Sequence, residues 1–242
     1  MAMALIGGIV LCGHPGPASA EVAAEQVEAA LKFLPPDRVD LDALIGDTQK
    51  MSPAPNSLRL VWWMPLEFWT VSWSQDPTID KKEVAELVKV VQDYTVLAVV
   101  DGQVGPFGGT QFTPVDELKQ RVFIRTAEGE RVTPLAAQAV SPDMRNLLAA
   151  MQPMMANIIG PMGQNMAFVV FDRETDAQGK AGVGDATTLG AFVAEVGDER
   201  FEFPSPLQAL LVPKVCPTCD VSFHGAYVYC PFDRTQMAHQ DE

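Results

Sequence analysis

The sequence predicts an α+β fold: an antiparallel β-sandwich-like body with inserted helices, a helical N-terminal lead-in and a small C-terminal module. Three observations carry this. Short apolar runs flank turn signals three times: Thr95–Val100 before Asp101-Gly102, Val122–Thr126 against Arg131–Leu135, and Phe192–Val196 against Arg200–Phe203 around Gly197. Two stretches between them have helical spacing instead. The composition, 48% hydrophobic and 20% charged over 242 residues, is that of a globular chain.

Residues 1–20 read as a signal peptide. Ala2 to Gly13 carry no charge and are largely apolar, and the small residues after Pro15 end in Ala18-Ser19-Ala20, the form of a signal-peptidase site. Cleavage there leaves Glu21 first and places the protein in the periplasm or outside the cell. The competing reading makes Ile6–Leu11 a buried strand before a nucleotide-binding loop. That loop lacks both G-x-G-x-x-G and a Gly-Lys-Ser/Thr ending.

Residues 21–56 form a helical lead-in and linker. Val22, Val27, Ala30, Leu31 and Leu34 are helically spaced, Pro35-Pro36 ends the run, and Val39 to Ile45 suggests a second short helix. Ser52-Pro-Ala-Pro-Asn-Ser57 has the composition of a linker.

The body spans 57–212. Leu60, Trp62 and Met64 alternate, as do Trp69, Val71 and Trp73 after Pro65, so both runs read as half-buried strands. Trp63 and Phe68 then fall on the opposite, solvent-facing side. Asp80 and Glu83 make a capping box before the stripe Val84, Leu87, Val88, Val91. Gln103 onward reads as the return strand after Asp101-Gly102. Thr113-Pro114 starts a short helix and Ser141-Pro142 a long one, with Pro153 inside it and Gly160-Pro161 as its stop. Ala167–Phe171 is a strand, and Asp172–Thr188 a polar loop.

The last segment, 213–242, changes character. Cys216-Pro-Thr-Cys219 is followed by Cys230-Pro-Phe-Asp233. A C-x-x-C turn offers two metal ligands at once, and a second turn across a hairpin offers the others. A Cys216–Cys219 disulfide and a redox-active pair also fit two such cysteines. Residues 214–237 resemble a zinc ribbon of the bacterial C-terminal kind, with Cys-Pro-x-Cys, an aromatic-rich middle and Tyr-Cys-Pro-x-Asp. The resemblance implies a structural Zn2+ held by Cys216, Cys219, Cys230 and Asp233. Asp233 stands where the family has a cysteine, and His239 or His224 are the alternative fourth ligands.

Other residues offer less. Trp62, Trp63, Trp69 and Trp73 lie close together, with Glu67 and Asp76 as a carboxylate pair beside them. This arrangement suggests an exported glycan-binding protein or glycoside hydrolase as the alternative function. With 31 acidic residues against 17 basic, the net charge of −14 repels nucleic acid and anionic membrane surfaces. No apolar run reaches a membrane-spanning length. The expectation is therefore a non-enzymatic protein-interaction or accessory subunit of the cell envelope with a protein partner and a structural zinc ribbon.

Overall fold

The computed structural model describes residues 31–173 and 182–237. The signal-peptide reading, most of the first expected helix and His239 fall outside them. The first described residues lie beside the end of the body: Phe33 bridges Leu211, and the Leu34 amide donates to the Leu210 carbonyl at 2.8 Å. After a 3-10 turn over Pro36–Arg38, α1 covers Leu41–Thr48. Asp40 caps α1, its Oδ1 accepting from the Asp42 and Ala43 amides.

The Ser52–Ser57 segment proves to be a turn inside the first sheet. β1 (Gln49–Met51) leads into it and β2 (Leu60–Met64) leaves it, and the two pair antiparallel with Lys50 opposite Val61. Its prolines and small residues serve a hairpin connection.

The second correction concerns residues 66–74, which form helix α2 (Leu66–Ser74) and not a strand. Pro65 is its extended N-cap, and the Thr70 hydroxyl donates to the Leu66 carbonyl at 2.9 Å. Leu66, Trp69 and Trp73 are also spaced i, i+3, i+7, so the alternation of Trp69, Val71 and Trp73 was one of two periodicities in the run. Helix α3 (Lys81–Val91) follows with its capping box complete. Asp80 accepts from the Lys82 and Glu83 amides, and Glu83 accepts from the Asp80 amide.

β3 (Tyr94–Val100) pairs with β2, and Asp101-Gly102 does not turn the chain back. The chain runs on into β4 (Gly102–Val104), which pairs with β5 (Thr110–Phe112) across the Gly105–Gly109 loop. Asp101 is instead a buried anchor. Arg59 Nε donates to its Oδ1 at 2.9 Å and the Thr113 hydroxyl to its Oδ2 at 2.8 Å. Arg59 Nη1 also reaches Glu199 at 2.8 Å, tying the first sheet to the second.

Short helix α4 (Val115–Lys119), strands β6 (Val122–Arg125) and β7 (Arg131–Val132), and helix α5 (Pro142–Ile159) fall close to their expected places. The Ser141 hydroxyl caps α5 by accepting from the Met144 amide. Pro153 sits on the exposed side of α5, and Gly160, with φ 57° and ψ −130°, ends it in a conformation that suits only glycine. One-turn helix α6 (Pro161–Gln164) leads into β8 (Ala167–Asp172). β9 (Gly190–Val196) and β10 (Glu199–Ser205) make the last body hairpin.

Two four-stranded antiparallel sheets result, ordered β1-β2-β3-β8 and β10-β9-β6-β7. A single buried cluster runs through both sheets and the helices. All five residues of β2 are buried. Trp62 packs edge-on against Phe68 of α2 at 5.1 Å, while Trp63 points the other way and meets Phe192 and Phe203 of the second sheet at 4.9 and 5.9 Å. Both faces of β2 are therefore covered, which corrects the expectation that Trp63 and Phe68 face solvent: they are 0% and 7% exposed.

The chain then leaves the body through Leu211-Val212 into a small tail. Gly225 docks that tail: a Cβ there would lie 2.4 Å from the Val212 carbonyl oxygen and 2.9 Å from Leu211 Cβ. Gly225→Ala should prise the two apart at a cost of about 1–3 kcal/mol. Faster proteolysis after Val212, with the body's unfolding midpoint little changed, is the expected readout; unchanged proteolysis would show that the contact yields freely.

Candidate metal centre

The tail is built from the same turn used twice. β11 (Lys214–Val215) pairs with β12 (Ser222–Phe223), and Cys216-Pro-Thr-Cys219 forms the tip between them. Tyr229 bridges Gln236, and Cys230-Pro-Phe-Asp233 forms the second tip. In the first turn the Cys216 amide donates to the Val221 carbonyl at 3.0 Å and the Asp220 amide to the Cys216 carbonyl at 3.0 Å. In the second, the Cys230 amide donates to the Thr235 carbonyl at 2.8 Å and the Arg234 amide to the Cys230 carbonyl at 2.9 Å. The residue after each tip is left-handed, Asp220 at φ 55° and Arg234 at φ 63°. By this correspondence Asp233 occupies the place that Cys219 holds in the other turn.

The two tips face each other. One ligand atom from each of Cys216, Cys219, Cys230 and Asp233 lies within 4.8 Å of the rest, and among the described residues they are the one such cluster able to hold a metal ion. Cys219 Sγ is 3.8 Å from Cys230 Sγ, and Cys216 Sγ is 3.4 Å from Asp233 Oδ2. A tetrahedral ion with metal–sulfur bonds of ~2.3 Å and metal–oxygen bonds of ~2.0 Å requires edges of ~3.8 and ~3.5 Å. These two separations match two edges of such a tetrahedron. All three cysteines are free thiols, and the 3.8 Å separation is far from the ~2.05 Å of a disulfide.

The surroundings prepare the four donors differently. The Thr235 amide, 2.8 Å from Asp233 Oδ1, holds that carboxyl below the usual carboxylate range. Burial pushes the Cys216 thiol up, but the backbone N–H groups of Cys219 and Thr218, together with the Cys219 and Cys230 side chains, outweigh it and leave the thiol below its ordinary value. Burial drives Cys230 up to about 11. Cys216 and Cys230 are buried together with Met237, and Cys219 and Phe223 pack on them as a cluster separate from the body's core. His224 stands outside the donor set. Its Nδ1 accepts from the Ala226 amide at 3.0 Å, and burial lowers its pKa. Buried Lys214 braces the tail by donating from Nζ to the Tyr227 carbonyl at 3.1 Å, a role nothing in the sequence pattern signalled.

The other sequence candidates are not brought together. Trp62, Trp63 and Trp69 are buried and Trp73 is half-buried, so no stacking platform is presented. Glu67 lies in the first turn of α2 and Asp76 just past its end. Nine residues at helical rise separate them by ~13 Å, beyond the ~9.5 Å upper range of paired glycosidase carboxylates. Asp76 is exposed and occupied in a turn, accepting from the Thr78 amide and hydroxyl.

Glu67 is distinctive in another way. Its Oε2 is buried without a hydrogen-bond partner among the described residues, and burial raises its pKa against the pull of its own backbone N–H and of Arg173. A carboxyl that binds its proton more tightly when folded contributes stability that is present at low pH. That contribution fades as pH rises from the ordinary glutamate value through the raised one. Glu67→Gln should therefore flatten the stability profile across this window and leave the variant more stable than wild type at pH 7. Urea titrations at several pH values check this; parallel profiles would refute it.

Comparison of the chain with family models, curated proteins and solved structures gives no match.

Proposed function

We propose that this chain is an exported, non-enzymatic protein-interaction or accessory subunit of the cell envelope. In this reading its two sheets pack as a sandwich, and its tail is a zinc ribbon held by a structural Zn2+ on Cys216, Cys219, Cys230 and Asp233. The observation that supports the reading best is the clustered donor set: four potential ligand atoms lie within 4.8 Å of one another, the number a closed, structural zinc site uses. The metal's work is then to rigidify the tail.

What the rigid tail presents is aromatic. Tyr227, Tyr229 and Phe232 are 48%, 57% and 73% exposed, and Phe223 links Tyr227 to Phe232 at 6.0 and 5.7 Å. Exposed tyrosine and phenylalanine on a stiff support suit a protein interface. The excess of carboxylates favours a partner with a basic face. Among the described residues no helix is long and apolar enough to cross a membrane.

Cross-linking in the native cell, followed by purification of wild type and of Tyr229→Ser/Phe232→Ser, tests the reading. One protein partner should be recovered in stoichiometric amount with the wild type and lost with the variant at unchanged zinc content. A wild-type chain with zinc but no cross-linked partner would overturn it. A native chain that begins at Met1 and not at Glu21 would remove export.

A further inference from the structure

A cavity of about 560 Å3 lies away from the tail, between α5, α4 and the edge strand β8. It is within the range typical of small-molecule sites, ~300–1,000 Å3. Its walls are mostly aliphatic. Leu148 comes from α5, Val115 from α4, Met166 and Val170 from β8 and the residues before it, and Leu135 from the segment that crosses the strand's open edge. The Leu135 amide pins that segment by donating to the Val170 carbonyl at 2.8 Å.

One face of α5 lines the cavity: Arg145, Leu148, Ala149 and Gln152, spaced i, i+3, i+4, i+7. From Arg145 to Gln152 the lining runs ~10 Å along the helix, so the space is elongated. The Gln152 amide is fixed by donation to the Gly163 carbonyl at 2.8 Å.

Against this apolar lining stand two cations, Lys119 and Arg145. In a chain of net charge −14 most arginines of the body are matched: Arg59, Arg121, Arg125, Arg131, Arg173 and Arg200 all meet carboxylates. Lys119 and Arg145 have no ion pair among the described residues, and Glu117, on the same helix as Lys119, is engaged by Arg121 at 3.6 Å. Arg145 also sits near the N-terminal end of α5, where the helix dipole disfavours a cation, so helix stability does not account for it.

We propose that this cavity binds a medium-chain fatty acid, or a chemically equivalent amphipathic monocarboxylate. Its alkyl chain lies along α5 and its carboxylate is met by Lys119 and Arg145. An aliphatic lining suits an alkyl chain, and the pair of unmatched cations suits a single anionic head.

Calorimetric titration of the full chain with decanoate tests this, with decanol as the neutral control. One saturable site for decanoate is expected, with decanol weaker by about tenfold or more, the loss of a charged hydrogen bond. Arg145→Gln and Lys119→Gln, both at exposed positions, should each weaken decanoate and together erase its advantage over decanol. Ala149→Phe should block both ligands by filling the cavity. Melting curves of every variant separate lost binding from lost folding. The absence of saturable binding, equal affinity for decanoate and decanol, or an unaffected double variant would overturn the proposal. An acidic, apolar peptide that occupies the cavity and resists displacement by decanoate would overturn it too, assigning the site to a protein partner.

Discussion

Cys216→Ser is expected to abolish zinc binding and unfold the tail while the body keeps its own cooperative transition. The tail has almost no core of its own: among the described residues, Met237 is buried with Cys216 and Cys230, and Cys219 and Phe223 pack alongside. Without metal that handful of groups cannot offset the ordering of some two dozen residues, at roughly 1–2 kcal/mol of backbone entropy each. Structural zinc supplies about 10–16 kcal/mol of apparent binding energy in comparable small modules, so folding and coordination should be one event. The body depends on a different cluster and need not follow. Asp233→Ala should lower affinity without abolishing it, since three thiolates remain. Asp233→Cys should raise affinity, because the second turn already repeats the first in backbone geometry. Metal content by plasma spectrometry, with hydrogen exchange over residues 213–237, reads all three. A Cys216→Ser protein that retains one equivalent of zinc and a protected tail would refute the assignment.

Trp63→Ala should be the most damaging single change in the body, at about 3–5 kcal/mol. The indole is wholly buried and meets the stacked rings of Phe192 and Phe203 edge-on, so truncation leaves a void where the two sheets meet. Trp73→Ala, at a half-buried position on α2, should cost far less. Trp63→Phe should fall between wild type and alanine, because it keeps a ring while removing an indole N–H that is buried without a partner among the described residues. Urea denaturation followed by circular dichroism ranks the three; equal losses for Trp63→Ala and Trp73→Ala would count against the covered position of β2.

The contrast between these two sites shows what local pattern can carry. The clustering of the two tail turns was legible because Cys-Pro-x-Cys and Cys-Pro-x-Asp act through spacing of a few residues, and the capping box of α3 and the hairpins of β6 with β7 and β9 with β10 were legible for the same reason. Trp63 was not. Its environment depends on strands more than a hundred residues away, and an alternating run says that one face is covered without excluding cover on the other. In α2 the alternation of Trp69, Val71 and Trp73 suggested a strand, but the helix that Pro65 caps packs Phe68 against Trp62 of the first sheet instead. Asp101-Gly102 has the composition of a tight turn, yet the Asp101 carboxylate is claimed by Arg59 and Thr113, contacts that no dipeptide signal contains.

The pairing of Phe33 with Leu211, together with that of Val122 with Val196 and Tyr94 with Asp172, bears on how the chain reaches its native state during synthesis. Each partner of the early segments is made late. β3 waits for β8 with its outer edge open, β6 waits for β9, and the segment at Phe33 waits for nearly the whole body to emerge. Closing such long loops is entropically unfavourable until the last partner arrives, so folding should be slow for the size of the chain. Until then β3, whose last six residues are all buried in the finished protein, is an exposed apolar edge. The interval between making β3 and making β8 is the period in which a nascent chain of this topology is most open to aggregation and to chaperone capture.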